Sequence, residues 1–134
     1  MIVDTSVLFD AVVDGPRSGT ARAAMAEAET LLAPDLIRIE LANALTRSVR
    51  RNAVTAEFAR AAYDFAEGLV PIEPSMPEVS RALELSLELV HPCADCLFLA
   101  FSERRGARLA TSDARFARKL TATPFARLIH LIEA

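Results

Sequence analysis

MIVDTSVLFD, residues 1–10, sets an aspartate directly behind a short apolar run. Ile2 and Val3 read as a core strand, and Val7, Leu8 and Phe9 resume the apolar pattern after Asp4, Thr5 and Ser6. Asp4 therefore stands at a strand's end, where a buried carboxylate needs partners. Working outward, the chain alternates short apolar strands with helical stretches. Strands are expected at residues 1–4, 30–33, 69–74, 108–111 and 127–132. Helical residues run on to 13, and further helices are expected at 18–29, 35–51, 55–67, 77–89 and 93–105, with a short one over SDARFARKL. Asp14-Gly15-Pro16 and His91-Pro92 break the chain, Pro34-Asp35 starts a helix, and Gly68 and Gly106 close two others. Strands separated by helices imply an α/β fold with a parallel sheet covered on both faces.

The length of 134 residues suits one domain, 1–134, large enough for a core without disulfides or a structural metal. Apolar residues at 52% and charged residues at 25% exclude a disordered chain. A mean hydropathy of +0.26 leans toward extra buried surface and so toward an oligomer or permanent partner. No apolar run reaches the ~18 residues of a membrane helix, and no secretory leader precedes the first strand, so a cytoplasmic protein is expected. A net charge of −3 excludes a global basic field; any nucleic-acid contact must come from local patches. Fourteen arginines to one lysine supply such patches, around Arg47, Arg50 and Arg51, around Arg104, Arg105 and Arg108, and around Arg115, Arg118 and Lys119. They suit phosphate contact and equally suit helix C-termini.

In an open parallel sheet, ligands bind beyond the carboxyl ends of the strands. Asp4 and Asp113 both follow strands, and both are flanked by hydroxyls, Thr5 and Ser6 in one case, Thr111 and Ser112 in the other. Asp113 also reads as a first-turn acid of its helix. Glu40 lies against the apolar stripe of its helix, near Asn43, with no Lys or Arg three or four residues away. It is either a cavity residue or a glutamate snorkelling at the stripe's edge. Asp95 opens another helix and would complement its dipole. Four carboxylates brought to one cavity would repel unless a cation neutralised them. Oxygen ligands select Mg²⁺ or Mn²⁺ over zinc, and such ions activate water for displacement at phosphorus.

DTSVLFD (4–10), APDLIRIELANAL (33–45), HPCADCLFLAF (91–101) and LATSDARF (109–116) resemble, in order and spacing, the four acidic motifs of PIN-domain ribonucleases, in particular VapC toxins. The resemblance implies a three-layer α/β/α domain on a central parallel sheet of four to five strands. It implies catalytic Asp4, Glu40, Asp95 and Asp113, and Mg²⁺ or Mn²⁺ bound through Asp4, Asp95 and Asp113. Thr5, Ser6, Asn43, Thr111 and Ser112 would support these ligands. It further implies a toxin that cleaves RNA and is held by a cognate antitoxin. A homodimer is expected, with helices 18–29 and 35–51 as its interface.

Cys93 and Cys96 depart from that resemblance. With His91 they offer three zinc ligands, but no second cysteine pair completes a site, so two mostly buried free thiols are expected. His130 has no assigned role. Two other functions compete. One is a phosphatase-like hydrolase with Asp4 as nucleophile, although Ser6 occupies the place where haloacid-dehalogenase-type enzymes carry a second aspartate. The other is a nuclease-dead RNA- or protein-binding module.

Overall fold

Five short strands, all paired in parallel, carry the architecture of this computed structural model, which describes residues 1–134. They are β1 (Ile2–Val3), β2 (Ala33–Pro34), β3 (Ile72–Glu73), β4 (Leu109–Thr111) and β5 (Ile129–Leu131). β4 lies between β1 and β5, with Ile2 opposite Leu109 and Leu109 opposite Ile129. β2 pairs with β3, Ala33 opposite Ile72. The two ladders meet at Leu32: its amide donates to the Met1 carbonyl and its carbonyl accepts from the Val3 amide, each at 3.1 Å. The strand order is thus β3-β2-β1-β4-β5.

Around this sheet lie α1 (Thr5–Val12), α2 (Ser18–Glu27), α3 (Leu36–Arg50), α4 (Ala56–Leu69), α5 (Val79–Leu89), α6 (Cys93–Arg105) and α7 (Ala114–Leu120). Parallel crossovers are right-handed. The path from β1 out to β3 therefore puts α1 to α4 on one face, and the return to β4 and β5 puts α5 to α7 on the other. The packing agrees: α1 lies against α2, α3 and α4, whereas α5 lies against α6, and α6 reaches β1, β2 and β4. The result is a three-layer α/β/α fold. Residues from Ile2 to Ile132 share one buried apolar cluster, in which Phe98, Phe101 and Phe116 are the largest side chains.

Every expected element is present, but several boundaries moved. The second strand sits at Ala33–Pro34, not 30–33, because Leu32 spends its backbone groups on β1. Gly68 does not close its helix: α4 runs through it to Leu69 and stops where Val70, preceding Pro71, is forced into extended geometry (φ −129°, ψ 124°). Helix 18–29 ends two residues early, with Ala28 extended. The segment Met76–Glu78 is a 3-10 turn leading into α5.

The expected interface helices are not where most of the spare apolar surface lies. α2 buries Ala21 and Met25 and exposes no large apolar side chain. The exposed large hydrophobics are Val79, Leu83 and Leu87 on α5, flanked by Met76 and Val90, together with Phe58 and Phe65 on α4 and Ile39 on α3. No single helix is long and apolar enough to cross a membrane.

Candidate active site

The strand order reverses between β1 and β4, and a crevice opens beyond the carboxyl ends of strands at such a point. Asp4 and Asp113 stand there, Asp4 directly after β1 and Asp113 two residues after the end of β4, and each is the N-cap of a helix. Asp4 Oδ1 accepts from the Val7 amide (3.1 Å), and Asp113 Oδ1 from the Phe116 amide (3.1 Å). A strand that ends on an N-capping residue turns its carboxylate back across the sheet edge.

One cavity of about 520 Å³ occupies the crevice, and Asp4, Glu40, Asp95 and Asp113 all line it, as do Thr5, Ser6, Asn43 and Ser112. Four segments distant in sequence are thus brought together. Thr111 lies buried just behind, its hydroxyl accepting from the Asp113 amide (3.1 Å). Ser6 ties the two aspartate strands: its Oγ donates to Asp4 Oδ1 (2.6 Å) and accepts from the Ser112 amide (2.9 Å). Thr5 donates to Glu40 Oε1 (3.2 Å), so Glu40 faces the cavity and is more than a helix-edge glutamate.

Burial pushes the Asp4 carboxyl up from an ordinary value of 3.8 to about 6. The charge of Asp95 adds to the rise, while the Ser6 and Thr111 hydroxyls and the Val7 amide pull it back. Glu40 is raised as well, first by burial and further by Asp95, with Thr5 and Arg47 opposing. Both carboxyls are thus raised chiefly by burial, with a smaller push from a neighbouring negative charge.

No three His, Cys, Asp or Glu side chains stand together as a ready-made metal ligand set. The donors nevertheless fit a hard cation. They are all oxygens, the charge is in excess, and the Ser112 hydroxyl is buried with no partner. Mg²⁺ keeps several waters and takes only one or two carboxylates directly, which suits acids set around a roomy cavity.

Cys93 is exposed, which corrects the expectation of two mostly buried thiols; Cys96 is buried, and burial pushes its thiol up to about 11. His91, given no firm role from sequence, contacts Asp95: Nε2 lies 2.7 Å from Oδ2. Its four-residue offset from Asp95 was the only signal, and the helix break at Pro92 obscured it. Arginines also line the cavity. Arg17 is tied to Asp10 (3.0 Å), whereas Arg47 in the last turn of α3 and Arg51 at its C-cap are in no ion pair.

Comparison with known proteins gives a consistent result. The PIN domain family matches residues 1–120. Ribonuclease VapC1 of Mycobacterium tuberculosis (strain CDC 1551 / Oshkosh) is 29% identical over 118 residues, 87% of either chain. The structure of VapBC2 from Rickettsia felis bound to a promoter DNA fragment superposes with a TM-score of 0.71 at 16% identity, covering 98% of each chain. That of Mycobacterium tuberculosis VapC20, a sarcin-ricin loop cleaving toxin, gives 0.67 at 21% identity, covering 87% of this chain and 92% of the other. With four acidic residues from four segments lining the crevice where the sheet reverses, and the family match running through all of them, this chain belongs to the PIN-domain family.

Proposed function

We propose that this protein is a Mg²⁺- or Mn²⁺-dependent endoribonuclease acting as the toxin of a toxin–antitoxin pair. The observation that carries the reading is the convergence of Asp4, Glu40, Asp95 and Asp113 on one cavity. Likeness to Ribonuclease VapC1 supplies the substrate class. Asp4, Asp95 and Asp113 would hold the cation, which would supply activation of water and offset charge at the scissile phosphate. Glu40, fixed by Thr5, orients the attacking water and takes its proton, a task suited to a carboxyl held above its usual range. Ser6 keeps Asp4 and the Ser112 backbone in register. Arg47 and Arg51 lie along the cavity wall, where guanidinium groups without carboxylate partners can take RNA phosphates on either side of the cut.

The proposal includes a homodimer and an antitoxin. Both have apolar surface to cover, on α5 and on the α3–α4 side. An antitoxin arginine or lysine placed among the four acids would form charge-assisted bonds and compete with the cation. The direct test is incubation of total cellular RNA with purified protein. Fragments that appear with Mn²⁺ and vanish with EDTA or with Asp4→Asn are expected; equal cleavage by Asp4→Asn in EDTA would refute the assignment.

A further inference from the structure

His91 is held more firmly than a surface histidine in a helix break needs to be. Its carbonyl accepts from the Ser86 hydroxyl (2.6 Å), and its amide donates to the Ser86 carbonyl (3.2 Å). The ring stacks on Phe116 with centroids 4.4 Å apart and an interplanar angle of 24°. Phe116 in turn belongs to the helix that Asp113 caps. On the outer side, Lys119 Nζ stands 3.1 Å from Nδ1 and donates to the Val90 carbonyl at 2.9 Å. An ammonium has donors only, so Nδ1 must accept. The ring proton then sits on Nε2 and points at Asp95 Oδ2, 2.7 Å away. With its side chain 11% exposed, the ring is closed off from solvent, whereas that of Asp95 remains 40% exposed.

We infer that His91 is a positioning residue for the cation: through Nε2–H it fixes Oδ2 of Asp95 and leaves Oδ1 as the one oxygen offered to the metal, with Lys119 selecting the tautomer. This rests on the proposed assignment of Asp95 as a metal ligand. A carboxylate turning freely on its stem would present either oxygen or both, and would lose more freedom on binding the ion. Outer partners of this kind change metal affinity by about 10–100-fold when removed. The arrangement also links motifs that the sequence keeps apart, since Phe116 and Lys119 of α7 hold the histidine that holds Asp95 of α6.

The test is calorimetric titration of the purified protein with Mn²⁺ alone, without RNA. His91→Phe keeps an aromatic ring on Phe116 but has no donor; His91→Gln keeps an N–H at similar reach. His91→Phe should weaken Mn²⁺ binding at least tenfold, and His91→Gln should return it to within about threefold of wild type. Lys119→Met, a change at an exposed position that leaves the core alone, should weaken binding a few-fold by releasing the tautomer. A long-range ¹H–¹⁵N spectrum of the wild type should show the Nε2-protonated form. Mn²⁺ affinity unchanged in His91→Phe would overturn the inference, and so would equal loss in His91→Phe and His91→Gln, because an N–H put back at that place would then restore nothing. Failure of the wild type to take up Mn²⁺ would overturn the metal assignment itself, and this inference with it.

Discussion

Asp4 is both a helix cap and a buried acid, and the two roles respond differently to substitution. Asparagine caps as well as aspartate, so Asp4→Asn should keep the bond to the Val7 amide while deleting the charge. The folded protein holds this carboxyl at about 6 against an ordinary 3.8, so it favours the protonated form. The resulting stability is fully present below about pH 4 and is lost as pH rises through about 6. In EDTA, wild-type melting temperature should therefore fall across that window while Asp4→Asn stays flatter and, at pH 7.5, melts higher. A variant that melts lower than wild type at pH 7.5 would mean that Asp4 is stabilised by its neighbours instead of strained by burial. Glu40→Gln separates chemistry from packing in a similar way. Turnover should drop about 100-fold or more, with stability unchanged or slightly raised. Of the site, Asp4 and Glu40 were legible because a carboxylate after a strand, or against an apolar stripe without a counter-ion, is anomalous in one dimension, whereas Asp95 and Asp113 also read as first-turn acids and stood out through the resemblance of their motifs. His91 was not, because its meaning comes from Phe116 and Lys119, more than twenty residues away.

At the scale of elements, α5 and α6 end in the same left-handed geometry with different residues. Gly106 takes φ 61° without cost, and it was readable as a helix stop. Val90 takes φ 50°, which a β-branched residue adopts only under strain. Val90→Gly should relieve about 1 kcal/mol of that strain, partly offset by added freedom of the unfolded chain. The melting temperature should rise by roughly 2–4 °C or less, and a fall would show that the exposed Val90 side chain makes contacts worth more than its backbone strain. At the C-terminal end of α3, Arg47 and the C-cap Arg51 line the cavity while Arg50 follows the dipole. If both contact phosphates, the double change to alanine should lower the slope of log affinity against log salt by about 1.4 on single-stranded RNA. Turnover at saturating RNA should hold, and an unchanged slope would return these arginines to a capping role. Strand positions were legible through apolar runs between breakers, but their ends were not. With two or three residues each, the strands are bounded by which backbone groups find partners, as at Leu32, and pairing across the sheet leaves no local trace.

For the whole molecule, the order β3-β2-β1-β4-β5 explains why acids from four segments meet: it puts the carboxyl ends of β1 and β4 side by side at the reversal. The parallel sheet and the shared edge of Asp4 and Asp113 followed from alternating strands and helices, whereas the strand order did not. The outer surface did not, because composition counts apolar residues without saying where they face, and those on α5 point outward. If the molecule is a toxin with a partner, its expression alone should arrest growth, and co-expression with the adjacent reading frame should restore it. Arrest should be absent in Asp4→Asn; arrest that persists in that variant would separate toxicity from the acidic cavity.

The bond from the Ser112 amide to Ser6 spans 106 residues, and it sets a clock as well as a geometry. β1 emerges from the ribosome more than a hundred residues ahead of its neighbour β4, so the middle of the sheet stays open until β4 arrives. At about 5–20 residues per second, roughly 5–20 s separate the two halves of the crevice. Throughout that interval the nascent chain carries Asp4 and Glu40 but no finished cavity, so if the protein cleaves RNA it is harmless to the RNA of the ribosome making it. An antitoxin of the kind proposed, already present, would find α3 and α4, complete by residue 69, before the cavity is closed. A chain released after Ala107 should neither bind Mn²⁺ nor cleave RNA, and adding a peptide of residues 108–134 should restore both if the late strand alone is what the crevice awaits.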